Sequence, residues 1–200
     1  MSEYFKINLE DLSEMMDGDK LQSLISDFSC PMNDDIERFF HDKALAFAQQ
    51  RLASVYLVFA ADGDVSVFAG YYALTYKHFY LDMDKAAGVS SALRRRILRY
   101  AVYNEELGEY IVSAPLIGQL GKNYARSANR FISGDALLRM ACDTVAEAQR
   151  LIGGRIVYLE CEEKQNLLRF YENNGFRPFG RRKTDEGKEQ ELVQLLKYLK

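Results

Sequence analysis

From Asp135 to Phe176 the chain spells a helix, a strand and a second helix in succession, and no other stretch constrains the fold so tightly. In the first helix Leu138, Ala141, Val145, Ala148 and Ile152 step by three and four, as a buried stripe does. Asp135, Arg139, Asp143 and Glu147 step by four along the opposite, wetted side. Gly153-Gly154 stops the helix, where a C-terminus calls for a left-handed residue. Arg155-Ile-Val-Tyr-Leu-Glu-Cys161 is apolar on both faces for most of its length, which suits a strand covered on both sides. The second helix carries Leu167, Leu168, Phe170 and Tyr171 and ends at Asn174-Gly175. An α-β-α unit of this kind lays a parallel strand beside its neighbour and leaves helix N-termini free for anions.

The remainder of the chain supplies strands on either side. Tyr4 to Leu9 reads as a short strand, and Leu12 to Phe28 has weak helical spacing. Asp34, with Glu37 three residues on, opens a stronger helix as a capping box, with Ile36, Phe40, Ala44 and Phe47 as its buried stripe. Ser54 to Ala60 and Val65 to Thr75 form a hairpin around Asp62-Gly63-Asp64. Phe176 to Arg182 and Leu192 to Leu199 pair across a polar turn, Thr184 to Lys188. Lys85 to Val102 is helical or irregular. Two hundred residues suit one domain, 1–200, and 13 Tyr and 12 Phe supply a core in the absence of Trp.

The ordered motifs resemble those of the GNAT superfamily of acetyl-CoA-dependent N-acetyltransferases. Leu168-Arg-Phe-Tyr171-Glu-Asn-Asn-Gly175-Phe176 is similar to that family's C-terminal motif. Pro115-Leu-Ile-Gly-Gln-Leu-Gly-Lys122 resembles the strand that lines its acyl-CoA cleft, and Gly134-Asp-Ala-Leu-Leu138 the start of its cofactor helix. The resemblance spans roughly residues 50 to 200. It implies an α/β fold, with a mixed central sheet flanked by helices and a cleft between two splayed parallel strands. It also implies acetyl transfer from acetyl-CoA to a primary amine, without a metal.

Acetyl transfer from a thioester needs the pyrophosphate held, the carbonyl polarised, the amine deprotonated and the leaving thiolate protonated. By the resemblance, Tyr171 is the proton donor to the thiolate; otherwise it is a half-buried aromatic of an amphipathic helix. The pantetheine arm is expected against the backbone of Leu120 and Lys122. The family's glycine-rich phosphate loop corresponds to Asn129-Arg130-Phe131-Ile132-Ser133-Gly134, followed by Asp135. Only the last glycine is kept, and because a β-branched residue is strained in the left-handed region, either Ile132 keeps negative φ or the correspondence slips. The amides of Phe131 to Asp135, with charge from Lys122, Arg126 and Arg130, are the expected phosphate donors; Asp135 would compete for the same N–H groups. Lys164 stands where many relatives have Asn.

Glu160, Glu162 and Glu163 are the candidate general bases, Glu160 foremost, or else ordinary solvated charges. His41 and His78 are isolated, and Cys161 has no partner histidine, so a covalent route is disfavoured. The net charge of −3 makes nucleic acid an unexpected partner, although Arg94-Arg95-Arg96 and Arg181-Arg182-Lys183 keep open an aminoacyl-tRNA-acetylating toxin. A small-molecule or peptide amine is the expected acceptor, and monomer and homodimer are both compatible. The altered phosphate loop also suits a non-catalytic binding module on the same scaffold. No apolar run spans a membrane, the opening Met-Ser-Glu-Tyr-Phe-Lys lacks a secretion pattern, and the three cysteines have no paired spacing; a cytoplasmic protein is expected.

Overall fold

The computed structural model describes residues 4–63, 65–82, 88–183 and 191–199. Along the chain it has β1 (Tyr4–Asn8), α1 (Leu9–Met15), α2 (Gly18–Ser26), α3 (Asp34–Asp42), α4 (Ala44–Gln49), β2 (Ser54–Asp62) and β3 (Val65–Leu81). After these come α5 (Ser91–Ile97), β4 (Ala101–Asn104), β5 (Glu109–Lys122), α6 (Gly134–Ile152), β6 (Ile156–Glu162), α7 (Gln165–Asn173), β7 (Arg177–Lys183) and β8 (Glu191–Tyr198). The strands form a mixed sheet in the order β1-β2-β3-β5-β6-β8-β7, with β4 on β5. By contacts the chain divides into two units, Met1–Thr75 with Gly118–Ala141, and Tyr76–Ile117 with Cys142–Lys200.

In the first unit β1, β2 and the start of β3 are antiparallel, with a register shift between Val58 and Phe59. The helices pack an aromatic core on them. Phe28, Phe40 and Tyr71 are mutually in ring contact at centroid distances of 4.5 to 5.1 Å. The Tyr71 hydroxyl donates to the Ile36 carbonyl at 2.7 Å, which allows so polar a ring to be buried. The expected helix over Leu12 to Phe28 is two helices. Met16 is extended, and the Asp17 carboxylate accepts from the Asp19 amide to start α2 anew. The expected capping box at Asp34 moves by one residue. Asn33 is the cap, accepting from Asp35 and Ile36, and Glu37 instead accepts from the Cys30 amide at 2.6 Å.

The second unit is built on β6, buried along most of its length and flanked by antiparallel β8, which in turn pairs with β7. The parallel ladder of β5 with β6 consists of Leu116–Tyr158 and Ile117–Leu159. Phe79, Tyr158 and Phe179 centre its core, with Phe79 4.5 Å from Phe179. The region Lys85 to Val102, within its described part, holds α5, a 3-10 turn at Leu98–Tyr100 and the start of β4. The Thr184 to Lys188 turn and Asp64 lie outside the described residues.

The buried stripe of α6 departs from expectation at its C-terminal end. Leu138, Ala141 and Val145 are buried, but Ala148 is exposed and Ile152 is 70% exposed. Gln149 takes the inward position, and its amide donates to the Ile156 carbonyl at 2.8 Å. A polar side chain that closes a backbone bond there replaces the aliphatic one that periodicity predicts.

Candidate functional site

In the second unit the end of α7 fixes Tyr171. Gly175 adopts φ +85°, and the Phe176 amide reaches back to the Tyr171 carbonyl at 3.0 Å while the Gly175 amide bonds that of Glu172 at 3.0 Å. These two bonds are a Schellman ending, in which an apolar contact joins the residue past the glycine to the last helical turn. Here that contact is Tyr171 against Phe176, edge to face at 6.0 Å. The spacing Tyr-x-x-x-Gly-Phe is therefore the spacing of a helix cap, and the cap orients the tyrosine. Its side chain is half-buried, and desolvation, with a smaller contribution from the nearby Cys161, raises its pKa well above that of a free phenol. The phenol keeps its proton throughout the neutral range.

The same unit encloses a cavity of about 910 Å³ lined by His78, Tyr80, Tyr158, Glu160, Arg182 and Gln194 among others. Glu160 does not stand open as a base. Arg182 donates to both of its oxygens at 2.8 to 3.1 Å, and the buried Gln194 amide adds a bond at 2.9 Å. Such a bidentate pair, with the Gln194 amide beside it, occupies the carboxylate's lone pairs from two sides. Glu163 is bound by Arg181, which lowers its pKa, and Glu162 pairs with Lys164. Arg181 also reaches Glu191 at 3.5 Å. His78 sits on the exposed side of β3 against Tyr80, and His41 bonds the Phe28 carbonyl at 2.9 Å.

In the first unit the residues expected to hold a phosphate follow β5. Leu120 and Lys122 are half-buried near the end of that strand. Gly121 between them permits a close approach, since a Cβ there would lie 2.5 Å from Ile36 Cγ2. Asn129, Arg130 and Phe131 end a 3-10 segment, with the Arg130 guanidinium over the Phe131 ring at 4.9 Å. Ile132 is extended at φ −135° and buried, as its β-branch requires. The left-handed backbone lies earlier, at Arg126 (φ +50°) and Ser127 (φ +59°). Ser133, not Asp135, caps α6: its hydroxyl accepts from the Ala136 amide at 3.1 Å and its carbonyl from Leu137. Gly134 is thus the first residue of a 19-residue helix, and Asp135 is exposed.

Sequence reasoning missed Asn123. It is buried at the end of β5, donating to the Phe68 carbonyl at 3.0 Å and accepting from the amides of Ser29 and Ala125 at 3.1 and 3.0 Å. Its backbone amide bonds Ala69 at 2.8 Å, and Tyr124 bonds Ser29 at 2.7 Å. One side chain therefore sets where the chain leaves β5 for the loop. The sole sequence signal is an amide residue directly after an apolar strand. Gln194 was missed for the same reason, because its partner Glu160 lies 34 positions away.

No protein-family model matches the sequence, and no curated protein does. Solved structures do share its fold. AtaT in complex with acetyl-methionyl-tRNAfMet is 15% identical at a TM-score of 0.60, with 96% of this chain and 94% of that chain covered. A tyrosine-to-phenylalanine mutant of the AtaT toxin, bound to the C-terminus of the antitoxin AtaR and to acetyl-CoA, is 15% identical at 0.58, covering 96% and 91%. A tyrosine-to-phenylalanine mutant of KacT is 14% identical at 0.58, covering 96% and 93%. What these proteins have in common with this chain is the fold, and it is the GNAT architecture that the sequence motifs resemble.

Proposed function

We propose that residues 1–200 act as one acetyltransferase domain, moving the acetyl group of acetyl-CoA to a primary amine by direct attack on the thioester. The observation that carries this reading is the fold shared with an AtaT structure that binds acetyl-CoA. The residues of this chain suit the cofactor in kind. A helix N-terminus beginning at Gly134, with the cations Lys122 and Arg130 in the same unit, is a donor set for a diphosphate. The amides of Phe131 to Asp135 would hold it, and the backbone of Leu120 and Lys122 would grip the pantetheine arm. When bound, the thioester supplies an activated acyl group. Tyr171 gives its proton to the departing thiolate, for which a phenol that stays protonated at neutral pH is suited. Phe176 and the Gly175 turn keep that hydroxyl in place. The amine loses its proton to water or a carboxylate; Glu160 can take this part only by giving up bonds to Arg182.

The acceptor has two readings. A small amine or peptide is one. The other is the amino group of an aminoacyl-tRNA, favoured by the AtaT complex with acetyl-methionyl-tRNAfMet, and it outweighs the modest argument from a net charge of −3. Salt separates them, because binding that neutralises several phosphates falls steeply between low and physiological salt.

Calorimetry with acetyl-CoA and free CoA tests the reading. Saturable binding that weakens in Lys122→Ala and Arg130→Ala is expected, followed by acetylation in an amine and aminoacyl-tRNA screen. Absence of binding at millimolar cofactor would instead point to a binding-only module. A chain of this fold without a membrane-length apolar helix among its described residues suits assay in aqueous buffer, and a cytoplasmic setting is part of the proposal.

A further inference from the structure

The second unit carries a second groove, of about 200 Å³, lined by Tyr76, Tyr100, Ser113, Ile152, Arg155 and Ile156 with neighbouring residues. Two of its lining side chains are large and apolar yet exposed, Ile152 at 70% and Tyr76 at 58%, and Leu151, the residue before Ile152, is 87% exposed. The other side of the rim is basic. Arg96 lies over the Tyr198 ring at 5.4 Å, Tyr198 hydrogen-bonds Tyr100, and Arg99 and Arg155 are near enough to act on the Tyr100 hydroxyl. Among the described residues no carboxylate lies within 4.0 Å of Arg96, Arg99 or Arg155, whereas Arg51, Arg126, Arg181 and Arg182 each have one. Arg155 in the lining, with Arg96 and Arg99 beside the Tyr100–Tyr198 pair, forms on a chain of net charge −3 a local charge excess that a partner would complete.

We infer that this groove docks an acidic peptide segment of another protein, with one aliphatic or aromatic side chain in the slot and carboxylates on Arg96, Arg99 and Arg155. The slot holds one side chain by volume. Aromatic residues and arginine are the types enriched at protein interfaces, whereas exposed leucine and isoleucine give a phosphate backbone nothing to bond. Charge complementarity thus selects the acidic residues, and the slot selects the anchor.

Panning random 12-residue peptides on the full chain, then measuring the enriched peptides by fluorescence anisotropy, tests this. The expected result is a consensus of Asp or Glu flanking a Leu, Ile or Phe. Its affinity should fall at least about tenfold in the double variant Arg99→Glu/Arg155→Glu and in Ile152→Asp. All three side chains are exposed, so thermal unfolding should confirm that the variants fold. A consensus without acidic residues, or an acidic one indifferent to both variants, overturns the assignment. So does a 12-nucleotide single-stranded RNA that binds more tightly than any peptide and is lost in the same variants.

Discussion

The end of α7 and the loop from Asn123 to Asp135 are the two regions to which the proposed chemistry assigns work, and they are shaped by opposite means. The end of α7 is made locally. Six consecutive residues, Tyr171 to Phe176, contain the cap, the glycine that allows it and the ring that packs on the tyrosine. The loop is made from a distance. Its departure from β5 is held by Asn123, whose partners Ser29 and Phe68 lie 94 and 55 positions away. A local device announces itself in sequence; a remote one does not, although both give equally definite geometry.

The comparison breaks most sharply on Tyr171→Phe. The ring, and with it the contact on Phe176, is kept, so the melting temperature should not move. Turnover should fall by roughly 10²–10⁴, the range for a lost general acid. Single-turnover acetylation beside calorimetry for acetyl-CoA checks it, and unchanged turnover would remove Tyr171 from the mechanism. In the loop the largest effect is on stability. Asn123→Ala leaves the Phe68 carbonyl and the Ser29 and Ala125 amides without their partner, at a cost of about 3 kcal/mol in urea unfolding. Acetyl-CoA affinity should weaken with it, because the loop loses its anchor.

Alkali addresses the second unit without mutation. Burial pushes the Cys142 and Cys161 thiols up to about 11 from 9.0. Folded pKa values above the unfolded ones mean that the stabilisation is complete below pH 9 and is lost as pH rises through 11. About 2–3 kcal/mol for each thiol should disappear over that window. Replacing each with alanine should reduce the loss, leaving the part due to Tyr71, Tyr158 and Tyr171, whose pKa values are also raised by burial. Gly175→Ala forces a Cβ into positive φ and should cost about 1 kcal/mol, with some loss of turnover because the cap orients Tyr171. The smallest effect has the opposite sign. Ser127→Gly relieves a left-handed serine in the loop and should stabilise by a few tenths of a kcal/mol or be neutral, by differential scanning calorimetry.

What the sequence made legible follows the same division. The α6-β6-α7 unit, the β2-β3 hairpin and the ending of α7 were readable because their signals are periodicity and glycine within a few positions. The inward turn of Gln149, the cap at Asn33 in place of Asp34, and Ser133 as the cap of α6 were not, since several residues nearby can serve as caps and only packing selects one. The partners of Glu160 were not legible, because the bidentate bond from Arg182 joins residues 22 positions apart. Of the two alternatives for Ile132, negative φ or a slipped correspondence, its extended backbone at φ −135° matches the first, as a β-branch favours.

Asn123 also bears on the order in which the chain can fold. Its bond from Ala125 is local, but those with Ser29 and Phe68 span 94 and 55 positions, and loop-closure entropy must be met before either forms. The turn between Tyr171 and Phe176 needs no such closure and can form as soon as α7 does. The helix end thus belongs to the early, local events of folding, and the segment following β5 to the late, topology-limited ones. A chain halted before that last closure would already have its tyrosine in place, with the proposed anion-holding segment still unshaped.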